Sequence, residues 1–155
     1  MKLYLSINGA PISNYLNLSP IQGDISLGQE WVCWSNFGDL SQFAEHGEVW
    51  EILADNIIDY FPLSDIAKVL EYWAKLLRHG GKLIVGGTDA GELSREFFLG
   101  NIPVQDLNKI VYGENARKSS LNYTVGIVEL LESFGLVVDK KRINGTKFII
   151  EAKRP

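Results

Sequence analysis

The chain has 155 residues, 46% hydrophobic and 22% charged, which is one domain's length with apolar content enough for a single core. Fifteen Lys and Arg stand against nineteen Asp and Glu, net −4, which excludes a disordered charged tail and nucleic-acid binding by bulk charge. No apolar run reaches the ~20 residues of a membrane-spanning helix, no apolar signal core follows Met1, and the lone Cys33 cannot form an intrachain disulfide, so the cytoplasm is the expected compartment.

Met1 to Ile7 predicts a strand, with Leu3, Leu5 and Ile7 at alternate positions. A turn-rich stretch from Asn8 to Asn14 separates it from a second strand, Tyr15 to Leu18, ended by Ser19-Pro20. Residues 21–30 read as loop, with Gly23 and Gly28. Trp31 to Trp34 and Glu48 to Ala54 are the third and fourth strands. Asp65 to about Arg78 predicts a helix, because Ile66, Val69, Leu70, Trp73, Leu76 and Leu77 recur every three or four residues. Ser64 suits its N-cap, and Gly80-Gly81 suits its end. Lys82 to Gly86 then reads as a strand buried on both faces, completing a strand–helix–strand crossover.

Leu93 to Phe98 and Val104 to Val111 predict short helices, and Tyr112 to Asn122 a polar loop. Thr124 is the expected cap of a further helix that turns Ile127, Val128, Leu130, Leu131 and Phe134 inward and stops at Gly135. Leu136 to Ile143 and Thr146 to Ala152 read as a hairpin around Asn144-Gly145, a strong short-range turn signal. The elements add up to one domain over residues 1–155. It is an open, Rossmann-like α/β sheet, mostly parallel, closed by an antiparallel C-terminal hairpin. Ligands on such sheets sit at the carboxyl ends of the strands, near the switch point.

Charge is unevenly placed. Up to Ala67 the chain holds one base, Lys2, and nine acids; from Lys68 onward it holds fourteen bases and ten acids. The plain reading is that the loops are solvated differently. The sharper one is that a basic surface in the second half meets an anionic ligand or partner.

The order of motifs resembles small, type-11-like members of the class I S-adenosylmethionine-dependent methyltransferases. Lys2 to Pro11, then Asn14-Tyr15-Leu16-Asn17-Leu18-Ser19, is similar to that family's opening strand, Gly-Cys-Gly turn and Gly-Tyr-x-Asn-Val-Asp strand end. Val49 to Phe61 resembles the fourth-strand motif. Leu76 to Val85 resembles the Leu-Lys-Pro-Gly-Gly-x-Leu segment, and Glu129 to Gly135 with the following hairpin resembles the family's close. The resemblance implies helices on both faces of the sheet and a cofactor site built from Ser6, Asn8, Gly9, Ser19, Asp39, Leu40, Asp55 and Asn56.

Where the resemblance expects two glycines after the first strand, this chain has Ser6 and Asn8, with Gly9 one residue late. Side chains there take space that the cofactor needs, and glycine's backbone freedom is lost. Where it expects an acid for both ribose hydroxyls, this chain has Ser19. The histidine and the Glu-His pair of the fourth-strand motif become Asn56 and Asp59-Tyr60. Asp39-Leu40 resembles the Asp-Leu pair that faces adenine, though a turn aspartate after Gly38 explains it equally. The motif is therefore degenerate, and S-adenosylmethionine is expected to bind weakly or not at all. The alternative is an active small methyltransferase of unknown substrate.

No metal site is expected, because His46 and His79 have no clustered ligands. Cys33 reads as a buried, inert thiol and the tryptophans as mostly core. Gly86-Gly87-Thr88-Asp89 follows the fifth strand, where the resemblance places substrate-side residues, though loop flexibility explains the glycines equally. Tyr112-Gly113 and Lys118-Ser119 resemble a Tyr-Gly and a basic-Ser pair in the family's substrate-side insertion, where Arg117 and Lys118 either attract an anionic substrate or form a solvated basic loop. A small-molecule or protein partner is expected, without membrane or nucleic-acid signals.

Overall fold

The computed structural model describes residues 1–21 and 30–155, so the loop expected over 21–30, with Gly23 and Gly28, lies largely outside the described residues. The strands are β1 (Lys2–Leu5), β2 (Leu16–Ser19), β3 (Trp31–Cys33), β4 (Val49–Ala54), β5 (Leu77–Thr88), β6 (Val137–Asn144) and β7 (Lys147–Lys153). The helices are α1 (Leu63–Leu76), α2 (Ala90–Phe98), α3 (Val104–Tyr112) and α4 (Thr124–Ser133). Short 3-10 turns sit at Ile58–Tyr60 and Glu114–Ala116.

The strands form one seven-stranded sheet in the order β3-β2-β1-β4-β5-β7-β6. β1 to β5 pair in parallel, and β7 inserts antiparallel between β5 and β6. The expected mostly parallel α/β sheet with its closing hairpin is thus present, turning at Asn144-Gly145 with Gly145 at φ 63. Strand order reverses between β1 and β4, which makes their carboxyl ends the switch point.

Alternation decides which side chains face the core. Leu3 and Leu5 of β1, Ile52 and Ala54 of β4, Leu83 and Val85 of β5, and Phe148 and Ile150 of β7 all point to one face and are fully buried. Against them pack Ile66, Leu70 and Trp73 of α1 and Ile127 and Leu131 of α4, and the two helices touch each other. On the opposite face, Tyr4 is covered by Tyr15 and Trp31, with ring centroids at 6.5 and 5.7 Å. These rings cover that face of β1. Residues 6–15, which join the parallel strands β1 and β2, hold no helix and are too few for a usual helical crossover.

Several local expectations are corrected. α1 starts at Leu63 with Pro62 at its cap position, so Ser64 lies inside the first turn. α1 passes into β5 at Leu77, and Gly80-Gly81 therefore lie within the strand rather than ending the helix. They accommodate an irregularity where the β4–β5 register shifts between Val49 and Glu51, and a Cβ on Gly81 would stand 2.9 Å from the Val49 carbonyl oxygen. Thr124 is the first residue of α4, not its cap, because Asp89 takes its N–H from elsewhere in the chain. Cys33 is exposed, since it ends the edge strand β3. Trp50 is half-exposed, with the Arg78 guanidinium over its ring, whereas Trp73 is core as expected. Gly86 and Gly87 belong to β5; a Cβ on Gly87 would lie 2.4 Å from Ile58 Cγ2, so close packing rather than flexibility requires that glycine.

Candidate functional site

A cavity of about 570 Å³ opens at the carboxyl ends of β1 and β4. It brings together five of the eight residues that the resemblance assigned to the cofactor site: Ser6, Asn8, Gly9, Asp55 and Asn56. Ser19, Asp39 and Leu40 do not line it. Ser19 is fully buried; its hydroxyl donates to the Ile7 carbonyl oxygen at 3.4 Å and accepts from the Ile21 N–H at 3.3 Å. Asp39 is exposed and accepts from the Ser41 N–H at 3.0 Å and the Ser41 hydroxyl at 2.6 Å. Those bonds to Ser41 hold its carboxyl below the usual range. Leu40 is core, and its N–H donates to the Tyr72 hydroxyl at 2.9 Å.

The loop after β1 is drawn tight onto its own hydroxyls. Ser6 is buried, and its Oγ accepts from the Gly9 N–H at 2.9 Å. A Cβ on Gly9 would stand 2.0 Å from Tyr4 Oη and 2.7 Å from Ser6 Oγ, so a side chain there would have to displace both hydroxyls. The Tyr4 hydroxyl donates to Asp55 Oδ2 at 3.3 Å, and Asn56 Nδ2 donates to Asp55 Oδ1 at 3.0 Å. Burial pushes the Tyr4 phenol above its ordinary value; a bond from Ser6 opposes this and the Asp55 carboxylate adds to it.

Of the opposite wall, sequence reasoning singled out Tyr60, Gly113 and Lys118 and missed Lys109, Asn115 and Lys147. Tyr60, Lys109, Gly113, Asn115, Lys118 and Lys147 come from the 3-10 turn after β4, α3, the loop that follows it and the start of β7. No short motif marks Lys109 or Lys147. The excess of bases in the second half was the only signal for them, while Lys118 stood out in the substrate-side loop. Gly113 makes room for Lys118: with φ 68, it would place a Cβ 2.7 Å from the Lys118 Cγ.

Beneath this wall lies a buried polar network. Asp59, 1% exposed, accepts from the Thr88 N–H at 2.9 Å and from Asn122 Nδ2 at 3.0 Å, and lies 3.5 Å from Lys118 Nζ. Lys118 Nζ also donates to the Ile110 carbonyl oxygen at 3.0 Å. Asp89, 2% exposed, caps α2 through the Glu92 N–H at 2.9 Å. Its second oxygen accepts from the N–H of Thr124, at 3.0 Å, and from the Thr124 hydroxyl, so one carboxylate starts two helices. Burial raises the Asp89 carboxyl, but bonds from the Thr124 hydroxyl and from the Glu92, Thr124 and Gly91 N–H groups outweigh it and hold the group below its ordinary value. Among the described residues no His, Cys, Asp and Glu group could hold a metal, and no helix is long and apolar enough to cross a membrane.

No protein-family model and no curated protein matches the chain. Solved structures do. A protein from Pyrococcus horikoshii superposes with a TM-score of 0.66 at 14% identity, over 99% of this chain and 81% of that one. An O-methyltransferase family protein from Burkholderia thailandensis gives 0.58 at 20% identity, over 83% of this chain. The match covers only 37% of that protein's own length. The 1,6-didemethyltoxoflavin-N1-methyltransferase of the same organism, solved with S-adenosylhomocysteine, gives 0.61 at 9% identity, over 98% of this chain and 70% of that one. With its strand order and inserted antiparallel β7, the chain has the class I methyltransferase fold.

Proposed function

We propose that this methyltransferase-fold protein has an eroded S-adenosylmethionine site, binds that cofactor weakly or not at all, and works as a binding module. The loop after β1 carries the reading. Its Ser6 and Tyr4 hydroxyls fill the turn at Gly9, leaving no Cβ-sized gap there. Ser19 supports it, because a buried hydroxyl engaged with Ile7 and Ile21 offers a ribose no carboxylate. A neutral acceptor in place of a charged one forfeits roughly 1–2 kcal/mol. On this reading the compartment is the cytoplasm and the partner is a small molecule or protein taken up by the cavity.

The test is titration with S-adenosylmethionine and S-adenosylhomocysteine, followed by calorimetry and melting temperature. A ligand that binds the folded state stabilises it by RT ln(1 + [L]/Kd). No shift is expected at micromolar ligand; a clear shift overturns the reading. The variant Ser6→Gly, Asn8→Gly, Ser19→Asp should bind more tightly than the parent.

A second reading, an active small methyltransferase of unknown substrate, is favoured by the cavity's place at the switch point. Methyl transfer in such a site is mostly positioning, so it needs no conspicuous catalytic base. Tight binding in the same titration supports this second reading.

A further inference from the structure

The three lysines of the cavity reach it from α3, from the loop after α3 and from the start of β7, all in the basic half of the chain. They are not equivalent. Lys118 is pinned by the buried Asp59 and the Ile110 carbonyl, so its charge is matched within the protein. Lys109 and Lys147 are exposed and make no ion pair among the described residues. The acid across the cavity, Asp55, accepts from Tyr4 and Asn56. A net-acidic protein thus presents two unmatched ammonium groups to one concave site.

Lysine binds phosphate as a compact point charge, and the cationic groups of this cavity are all lysines, since no arginine lines it. The volume, about 570 Å³, lies within the ~300–1,000 Å³ usual for small-ligand sites and far exceeds a bare phosphate. The remaining wall carries hydroxyl, amide and carboxylate groups that can bond ligand hydroxyls, set among apolar surface of similar extent that can hold a short carbon frame. Two wall residues, Asn56 at φ 52 and Asn115 at φ 53, hold left-handed backbone, a conformation that collects at ligand sites.

We infer that the cavity binds a small hydroxylated organic phosphate, with the phosphate at Lys109 and Lys147 and the hydroxyls at Asp55, Asn56 and Asn115. This rests on the preceding proposal only in that the cavity is open to a ligand other than S-adenosylmethionine.

The experiment measures melting temperature and calorimetric affinity at fixed ionic strength. The probes are ribose 5-phosphate and glycerol phosphate, each against its dephosphorylated form, with inorganic phosphate and S-adenosylhomocysteine in parallel. At least one phosphate ester should stabilise the protein, more than inorganic phosphate does, while ribose and glycerol do nothing. The double variant Lys109→Gln, Lys147→Gln should bind that ester about tenfold more weakly or worse. The variant Lys68→Gln, Lys153→Gln, which loses the same charge away from the cavity, should bind as the parent does. Both pairs are exposed, and melting without ligand verifies their folding. The inference fails if no ester stabilises at millimolar concentration, if inorganic phosphate binds as well as the esters, or if both double variants lose affinity equally. Stabilisation by S-adenosylhomocysteine together with a phosphate ester defeats only the eroded-site reading. Stabilisation by S-adenosylhomocysteine alone defeats both.

Discussion

The two halves of the sheet's carboxyl edge treat polar side chains differently. On the β1–β3 side the bonds at the loop hydroxyls and carboxylates close mostly over short stretches of chain, Ser6 to Gly9, Ser19 to Ile21 and Asp39 to Ser41, while Ser19 to Ile7 and Tyr4 to Asp55 reach further. On the β4–β5 side they join distant segments: Asp59 to Asn122 across 63 residues, Asp89 to Thr124 across 35. Short-range bonds shape a single loop, and a loop can relax when one is lost. Long-range buried bonds fix whole elements against each other, and their loss strands partners that cannot reach water. The first region therefore folds onto itself, while the second builds a rigid floor under the lysine-lined wall.

Asp59→Ala should test that contrast hardest. It leaves Lys118, Asn122 and the Thr88 N–H without their shared acceptor. Removing one partner of a buried pair costs about 3–5 kcal/mol, to be read by urea unfolding. A loss under 1 kcal/mol would show that the network relaxes as freely as a loop.

Asp89→Ala comes next, at about 2–4 kcal/mol, because it uncaps α2 and α4 together. The same residue predicts pH dependence. Its folded pKa lies below the ordinary value, so its stabilisation is complete above the unfolded pKa and is lost as pH falls through the folded one. Asp89→Asn should flatten the acid limb of the stability curve; an unchanged limb would remove Asp89 as its source.

On the other side of the comparison, Ser19→Ala should cost only about 1 kcal/mol, the net worth of its hydrogen bonds. Asp39→Ala should have the smallest effect. It frees the Ser41 turn with a slight fall in melting temperature, and it should leave the affinity of any ligand in the cavity unchanged because Asp39 does not line it. An affinity loss in that variant would extend the site toward β3.

Periodicity and turn chemistry determined most of the architecture. The apolar spacing of α1 and the alternation of β4 are local patterns, legible one segment at a time. The Asn144-Gly145 turn placed the hairpin, and the resemblance placed β7 antiparallel beside β5. Of the site, the sequence yielded the loops after β1 and β4, because they directly follow recognisable strands. Helix ends were misjudged where the partner is remote: α4 looked capped by its own Thr124, yet the capping carboxylate is Asp89. Only the tertiary structure separated Ser19, Asp39 and Leu40 from the cavity and joined Lys109 and Lys147 to Lys118 there. Their convergence depends on how α3, the loop after it and the first residue of β7 fold over the ends of β1 and β4, and no spacing within one chain segment encodes that.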